Sequence, residues 1–319
     1  MMESPTRPCV TERHRKGWTP SWAGRHLVAP AVALLVAATA CTAAEPAAPA
    51  TTPRSEPAPV TNSPPPSATG KPRPTLPQQP GRARWDGLAS PVGMAFDGDG
   101  TLYIANWSGG TIERFTADGE RSTFADGLGG PSGLAVADDG TVYAASYSGN
   151  VVWRFSEDGE PTVFVDGLGT PAGLSFNSAG ELLIANRATD EILAADADGK
   201  TRVVAHGLQT PVGAVELDNG DLMISNINGG VSLVSGGPEA VTVNNELASP
   251  GPGIAPAGGD AVYVVDYGGT TVDLIEPDGS RTTIADGFAN PTSITVAPDG
   301  RLAVADWGTD SLYFIESVH

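Results

Sequence analysis

Beyond residue 41 the chain has no cysteine; its two are Cys9 and Cys41, in 319 residues. Everything after them therefore folds without a disulfide, a thiol nucleophile or a Cys-ligated metal. Histidine is nearly as scarce. Of His14, His26, His206 and His319, two lie in the first 40 residues and one is the last residue, so His206 alone falls within the main body. No Gly-x-Ser-x-Gly elbow occurs. Long apolar runs are missing too. Leu27 to Ala38 is shorter than the roughly 20 residues a spanning helix needs, and Pro30 interrupts it. Positive charge is the last deficit. Of 37 acidic residues all but Glu3, Glu12, Glu45 and Glu56 follow residue 81, which leaves 33 against ten basic ones there. A field of that sign repels phosphate backbones and excludes nucleic acid as a partner, while basic peptides, cations and glycans stay open.

What is present divides into three parts. Residues 1–40 carry a basic stretch (Arg13, His14, Arg15, Lys16, Arg25), the apolar run, and small residues ending at Ala40. That is the pattern of an export signal. "Ala-Thr-Ala-Cys" at 38–41 resembles a bacterial lipobox, with Ala38 where Leu is usual. The resemblance implies that Cys41 carries a lipid and anchors the chain to the outer face of the cytoplasmic membrane; a secreted chain is the alternative. Residues 41–81 follow with about a dozen prolines and, as large aliphatics, Val60 and Leu76. Such a segment cannot bury enough apolar surface to fold, and it reads as an extended tether.

Residues 82–319 are a repeat array. Prolines recur at Pro91, Pro131, Pro171, Pro211, Pro250 or Pro252, and Pro291, and a small residue stands two places on: Gly93, Gly133, Gly173, Gly213, Gly253, Ser293. Turn glycines punctuate each 40-residue unit, and between them lie short β-rich runs such as "TLYIA", "IERFT" and "STFA". Four short strands per unit and six units predict an all-β, six-bladed propeller of four-stranded blades. The small column then has a reason, because innermost strands converge on the axis and leave no room for Cβ. The last unit stops after a third strand, "SLYFI", while "ARWDGL" before the first unit aligns with "STFADGL". The N-terminal strand is therefore expected to complete the last blade and close the ring, as a monomer without exposed ends.

These repeats resemble NHL-repeat propellers across 82–319 and, more distantly, the senescence-marker/gluconolactonase propellers and streptogramin lyases. Those families include binding, sensing and enzymatic members, so the resemblance implies a fold and leaves the function open. A streptogramin-lyase mechanism implies a histidine base in the central cup, for which His206 is the sole candidate. A gluconolactonase mechanism implies a glutamate ligand before the first proline, where this chain has Ser90.

Two loop sets emerge on one face of such a fold. The 40-residue register places Asn106, Ser146, Asn186, Asn226, Asp266 and Asp306 at the ends of second strands, followed by Trp107, Tyr147, Arg187, Ile227, Tyr267 and Trp307. The second set gives Asp86, Asp126, Asp166, His206, Asn245 and Asp286, mostly Asp-Gly turns. Trp107, Tyr147, Arg187, Tyr267, Trp307 and His206 are the expected binding positions, since aromatics with a polar surround suit a recognition surface. Asn106, Asn186, Asn226, Asp266 and Asp306 are oxygen donors suited to Ca2+ or Mg2+ as a candidate metal set, with the structural use of such residues in turns as the competing reading. "FDGDGT" at 96–101 and "DADGK" at 196–200 read as hairpin turns. The sequence thus points to a surface-anchored module that binds an envelope protein, peptide or glycan through its loop face. The alternatives are a metal-dependent lactonase or lyase, and a structural envelope protein.

Overall fold

In the computed structural model, which describes residues 76–318, the innermost strands stand side by side around an axis, each starting at or next to a proline of the repeat column. The expected leader, Cys41 and the tether as far as residue 75 lie outside the described residues. Blade 1 shows the pattern, with strands Pro91–Phe96, Leu102–Asn106, Thr111–Phe115 and Arg121–Ala125 paired antiparallel in that order. Burial falls outward from the axis. "LYIAN" is buried along its whole length because neighbouring blades cover both of its faces, whereas the outermost "RSTFA" is exposed for its first three residues.

The hydrophobic core is six layers rather than one centre. Tyr103, Ala105 and Ile112 of blade 1 pack on Leu134, Val142, Ala144 and Phe155 of blade 2, and a layer of this kind fills each interface round to blade 6. At the axis the small column behaves as the packing argument requires. A Cβ built on Gly93 would strike the carbonyl oxygen of Ser132 in the next blade, and one on Gly173 the carbonyl oxygen of Val212. Buried hydroxyls tie the same strands together: Thr292 Oγ1 donates to Pro91 O at 2.6 Å, across the seam where blade 6 meets blade 1.

Closure uses the N-terminal segment as expected. Arg84 N donates to Leu312 O at 2.7 Å and Leu312 N to Trp85 O at 2.9 Å, so the segment around Trp85 takes the fourth-strand place beside Ser311–Ile315 through one antiparallel bridge, next to a three-stranded sheet. The ladder also begins earlier than the expected start at residue 82. Gln78 N donates to Ile284 O at 2.8 Å and Asp286 N to Gln78 O at 2.9 Å, which ties residues read as tether to the rim of blade 5. The same contact recurs between His206 and Glu239, where the end of one outermost strand meets the start of the next.

Blade 5 departs from the period. Its first strand runs over nine residues, Pro250–Gly258, with a register shift between Pro250 and Ile254. Pro250 takes the pairing slot opposite Asp266, and one additional residue restores the column at Gly253. In the hairpins between first and second and between third and fourth strands, Asp97 Oδ1 accepts the amides of Asp99 and Thr101, and Asp196 Oδ1 those of Asp198 and Lys200. The "FDGDGT" and "DADGK" stretches are thus closed hairpin turns, as expected. Among the described residues no helix is long and apolar enough to cross a membrane.

Candidate functional site

Each second strand ends at a buried polar residue and turns back toward the axis, so that the next side chain reaches the mouth of the ring. Trp107, Tyr147, Arg187, Ile227, Tyr267 and Trp307 converge there, all half-buried, one from each blade. Below them lie Val92, Ser132, Ala172, Val212, Pro252 and Thr292, the residues directly before the small residue of each column. The twelve enclose a cup of about 370 Å3. The lower ring was legible as a column in the sequence, but its alternation of Val, Ser, Ala, Val, Pro and Thr carries no chemical signal by itself.

One arc of the cup is continuous. Trp107 sits between Trp307, with ring centres 6.5 Å apart, and Tyr147, at 4.9 Å in an edge-on arrangement. Arg187 extends the arc, its guanidinium carbon 5.6 Å from the Tyr147 ring centre and Nη1 donating to the Tyr147 hydroxyl at 3.4 Å. Such contacts stack the arginine's planar cation on an aromatic face and hold it in place. A second cavity of about 490 Å3, lined by Ile227, Gln209 and the irregular stretch Asn245 to Pro250, adjoins the cup through Ile227.

His206 is not part of the cup. It is exposed at the outer seam of blades 3 and 4, where its amide donates to Pro238 O at 2.9 Å and its carbonyl accepts from Ala240 N at 3.3 Å. It lies just beyond the outermost strand of its blade, Thr201–Ala205, and is not among the residues that line the cup. The Asp-Gly positions Asp126 and Asp166 are likewise exposed, each followed by a left-handed glycine.

The column offered as a metal set has another use. Asn106 Oδ1 accepts from Ala89 N at 3.0 Å, Asn186 Oδ1 from Gly169 N at 2.7 Å and Asn226 Oδ1 from Gln209 N at 3.3 Å. Asp266 accepts the amides of Ala248 and Ser249, and Asp306 those of Ala289, Asn290 and Gly308, all at 2.8–2.9 Å. All five are buried and each clasps the loop that enters its own blade. A dication needs several such oxygens around one point, and these are separated by blade and engaged by amides; the donor set does not fit one. Among the described residues no three His, Cys, Asp or Glu side chains gather to hold a metal.

A clasp that the sequence did not reveal surrounds the mouth. Thr210 N donates to Asp190 Oδ1 at 2.8 Å and Ser90 N to Asp310 Oδ1 at 2.8 Å, each bond linking one blade's loop to the next blade's entry. All four residues have left-handed backbones, with φ between 49° and 61°. That conformation is costly for a β-branched threonine, and here these bonds hold it.

No protein-family model matches the sequence, and comparison with curated proteins gives no match. Solved structures do match. Virginiamycin B lyase from Staphylococcus aureus is 18% identical over 70% of this chain and 79% of its own, with a TM-score of 0.58. The gluconolactonase XC5397 from Xanthomonas campestris is 16% identical over 78% and 97%, with a TM-score of 0.66. The PQQ-bound aldose sugar dehydrogenase from Streptomyces coelicolor is 18% identical over 75% and 97%, with a TM-score of 0.61. At these identities the likeness is one of fold. The chain is a six-bladed β-propeller, similar in architecture to streptogramin B lyase and to gluconolactonase-like propellers.

Proposed function

We propose that this chain is a binding or sensing module that takes its ligand in the central cup, displayed outside the cell by a lipid on Cys41 and the proline-rich tether. The observation that carries the reading is the composition of the cup. Four aromatics, aliphatic side chains, the hydroxyls of Ser132 and Thr292 and one arginine line it, with no Asp, Glu, His, Lys or Cys among its twelve residues. Such a surface supplies contact area and orientation, the ordinary make-up of a ligand site, but no obvious general base.

The enzymatic alternative draws on the structural neighbours, which include a lyase, a gluconolactonase and a sugar dehydrogenase. One lyase structure holds quinupristin in a catalytically inactive histidine-to-alanine variant, whereas the cup of this chain has no histidine. Tryptophan fluorescence of the full chain tests the choice, because Trp107 and Trp307 both face the cup. Saturable quenching by a library of small organic ligands, lost in Trp107→Ala, supports the binding module. Turnover of a lactone or of quinupristin would replace that reading with the enzymatic one.

A further inference from the structure

The chain's overall charge favours cationic partners, yet the sole charged side chain in the cup is a cation. The ion pairs among the described residues join Arg121 to Glu113, Arg202 to Glu181, Arg281 to Asp273 and Arg301 to Asp299. Arg187 belongs to none of them. Among the described residues its side chain makes one hydrogen bond, the long one to the Tyr147 hydroxyl, and it lines the cup. A half-buried arginine with unspent donors, held over an aromatic ring, is ready to receive an acceptor.

The other polar groups of the cup narrow the choice. The one proton of Ser132 Oγ is surrounded by the carbonyls of Ala145, Pro171 and Ala172, at 3.1–3.2 Å, and that of Thr292 Oγ1 is directed to Pro91 O at 2.6 Å, with Ala305 O at 3.3 Å. Both hydroxyls are spent on the floor. Tyr147 accepts from Arg187 and keeps its own proton to donate. Besides the ring and hydroxyl of Tyr267, the remaining surface is Trp107, Trp307 and five aliphatic residues. A glycan would leave many hydroxyls without partners on such a surface, and a basic peptide would meet Arg187 as a like charge.

We propose that the cup, if it is the binding site argued above, selects small organic anions: a planar apolar body against Trp107 and Trp307, and one carboxylate, sulfonate or phosphate on Arg187 and the Tyr147 hydroxyl. The electrostatics sharpen the selection, since the acidic exterior disfavours any anion that lacks this contact.

Two fluorescent probes that differ by one sulfonate provide the test on the full chain: 8-anilinonaphthalene-1-sulfonate and its neutral relative N-phenyl-1-naphthylamine. The sulfonate is expected to bind about tenfold more tightly at low salt, as one charge-assisted contact allows. Arg187→Met should bring the ratio of the two dissociation constants to about one, and Arg187→Lys should keep part of it, with an unchanged melting temperature as the check on folding. A groove on the rim lined by Arg82, Arg84, Arg121 and Arg301 is the other place an anion could settle, so Arg84→Gln must leave the ratio intact. Equal affinities in the parent chain, or a ratio that survives Arg187→Met or collapses in Arg84→Gln, would overturn the anion assignment. If the neutral probe binds and Trp107→Ala removes it while the sulfonate gains nothing, the cup stands as a site and the anion preference falls. If neither probe binds, both fall.

Discussion

Gln78 and Glu316, 238 residues apart, exchange two hydrogen bonds: Gln78 Nε2 donates to Glu316 O at 2.8 Å, and Glu316 N donates to Gln78 Oε1 at 2.9 Å. With its backbone bonded to the rim of blade 5, this glutamine joins the start of the described chain to its end across the closing seam.

Gln78→Ala is expected to lower stability by about 1 kcal/mol, since the bonds are exposed and each contributes little net. That corresponds to roughly 2–4 °C in the melting temperature for a domain of this size. Removing everything before residue 90 is a different matter, because it deletes the Trp85 segment that bridges to blade 6 and uncovers the edge at Leu312. Size-exclusion chromatography should then find aggregate or oligomer in place of monomer. A shortened chain that remained monomeric with an unchanged melting curve would show that the ring does not depend on this segment.

Asp306 carries three amides in a buried site, so Asp306→Ala should cost about 3 kcal/mol by stranding those donors. Asp306→Asn should cost clearly less, because Asn106, Asn186 and Asn226 fill the same slot in other blades. Calorimetry of the three chains with EDTA and with millimolar Ca2+ or Mg2+ checks both points. The midpoints are expected to be insensitive to the cation, and an upward shift of several degrees lost in Asp306→Ala would restore a metal role.

Gly93→Ala places a methyl group against the carbonyl oxygen of Ser132. Backbone cannot yield as a flexible side chain would, so the inner strands of blades 1 and 2 must separate. A loss of about 3 kcal/mol or more, with little soluble protein, is expected. Gly98→Ala, in a hairpin where nothing lies within 4 Å of the new Cβ, is the control and should melt with the parent.

The acid limb of stability should reflect turn aspartates. The Asp139 carboxylate is held below its ordinary pKa by the amide and then the side chain of Thr141, and Asp278 in the same way by Ser280. A depressed folded-state value means that the contribution is complete above the unfolded value, near pH 4, and is lost as pH falls through the folded one. Urea midpoints should therefore be flat for these groups above about pH 5 and decline below pH 4. Asp139→Asn keeps the turn, as Asn219 does by accepting the Asp221 amide at 2.8 Å, and should make that decline shallower. An identical acid limb in the variant would remove Asp139 from the account.

The amino-acid sequence by itself determined the propeller. Pro91 and Gly93, with their counterparts every 40 residues, report local requirements: where a strand starts, and where Cβ is forbidden. Repetition of one local solution leaves little choice of fold, and the unmatched "SLYFI" and "ARWDGL" told how the ring closes. The same register identified Trp107, Tyr147, Arg187, Tyr267 and Trp307 as neighbours, because equivalent positions of equivalent blades must meet at the axis. What a register cannot convey is direction and competition. Only the folded ring decided that His206 faces solvent at an outer seam and that Asp266 and Asp306 turn their oxygens to loop amides. It also decided that Gln78 belongs to the propeller, and that Arg187 is left without a carboxylate. Those outcomes depend on which groups from other blades arrive first at each lone pair and each N–H, a matter of three-dimensional proximity that a one-dimensional period does not encode.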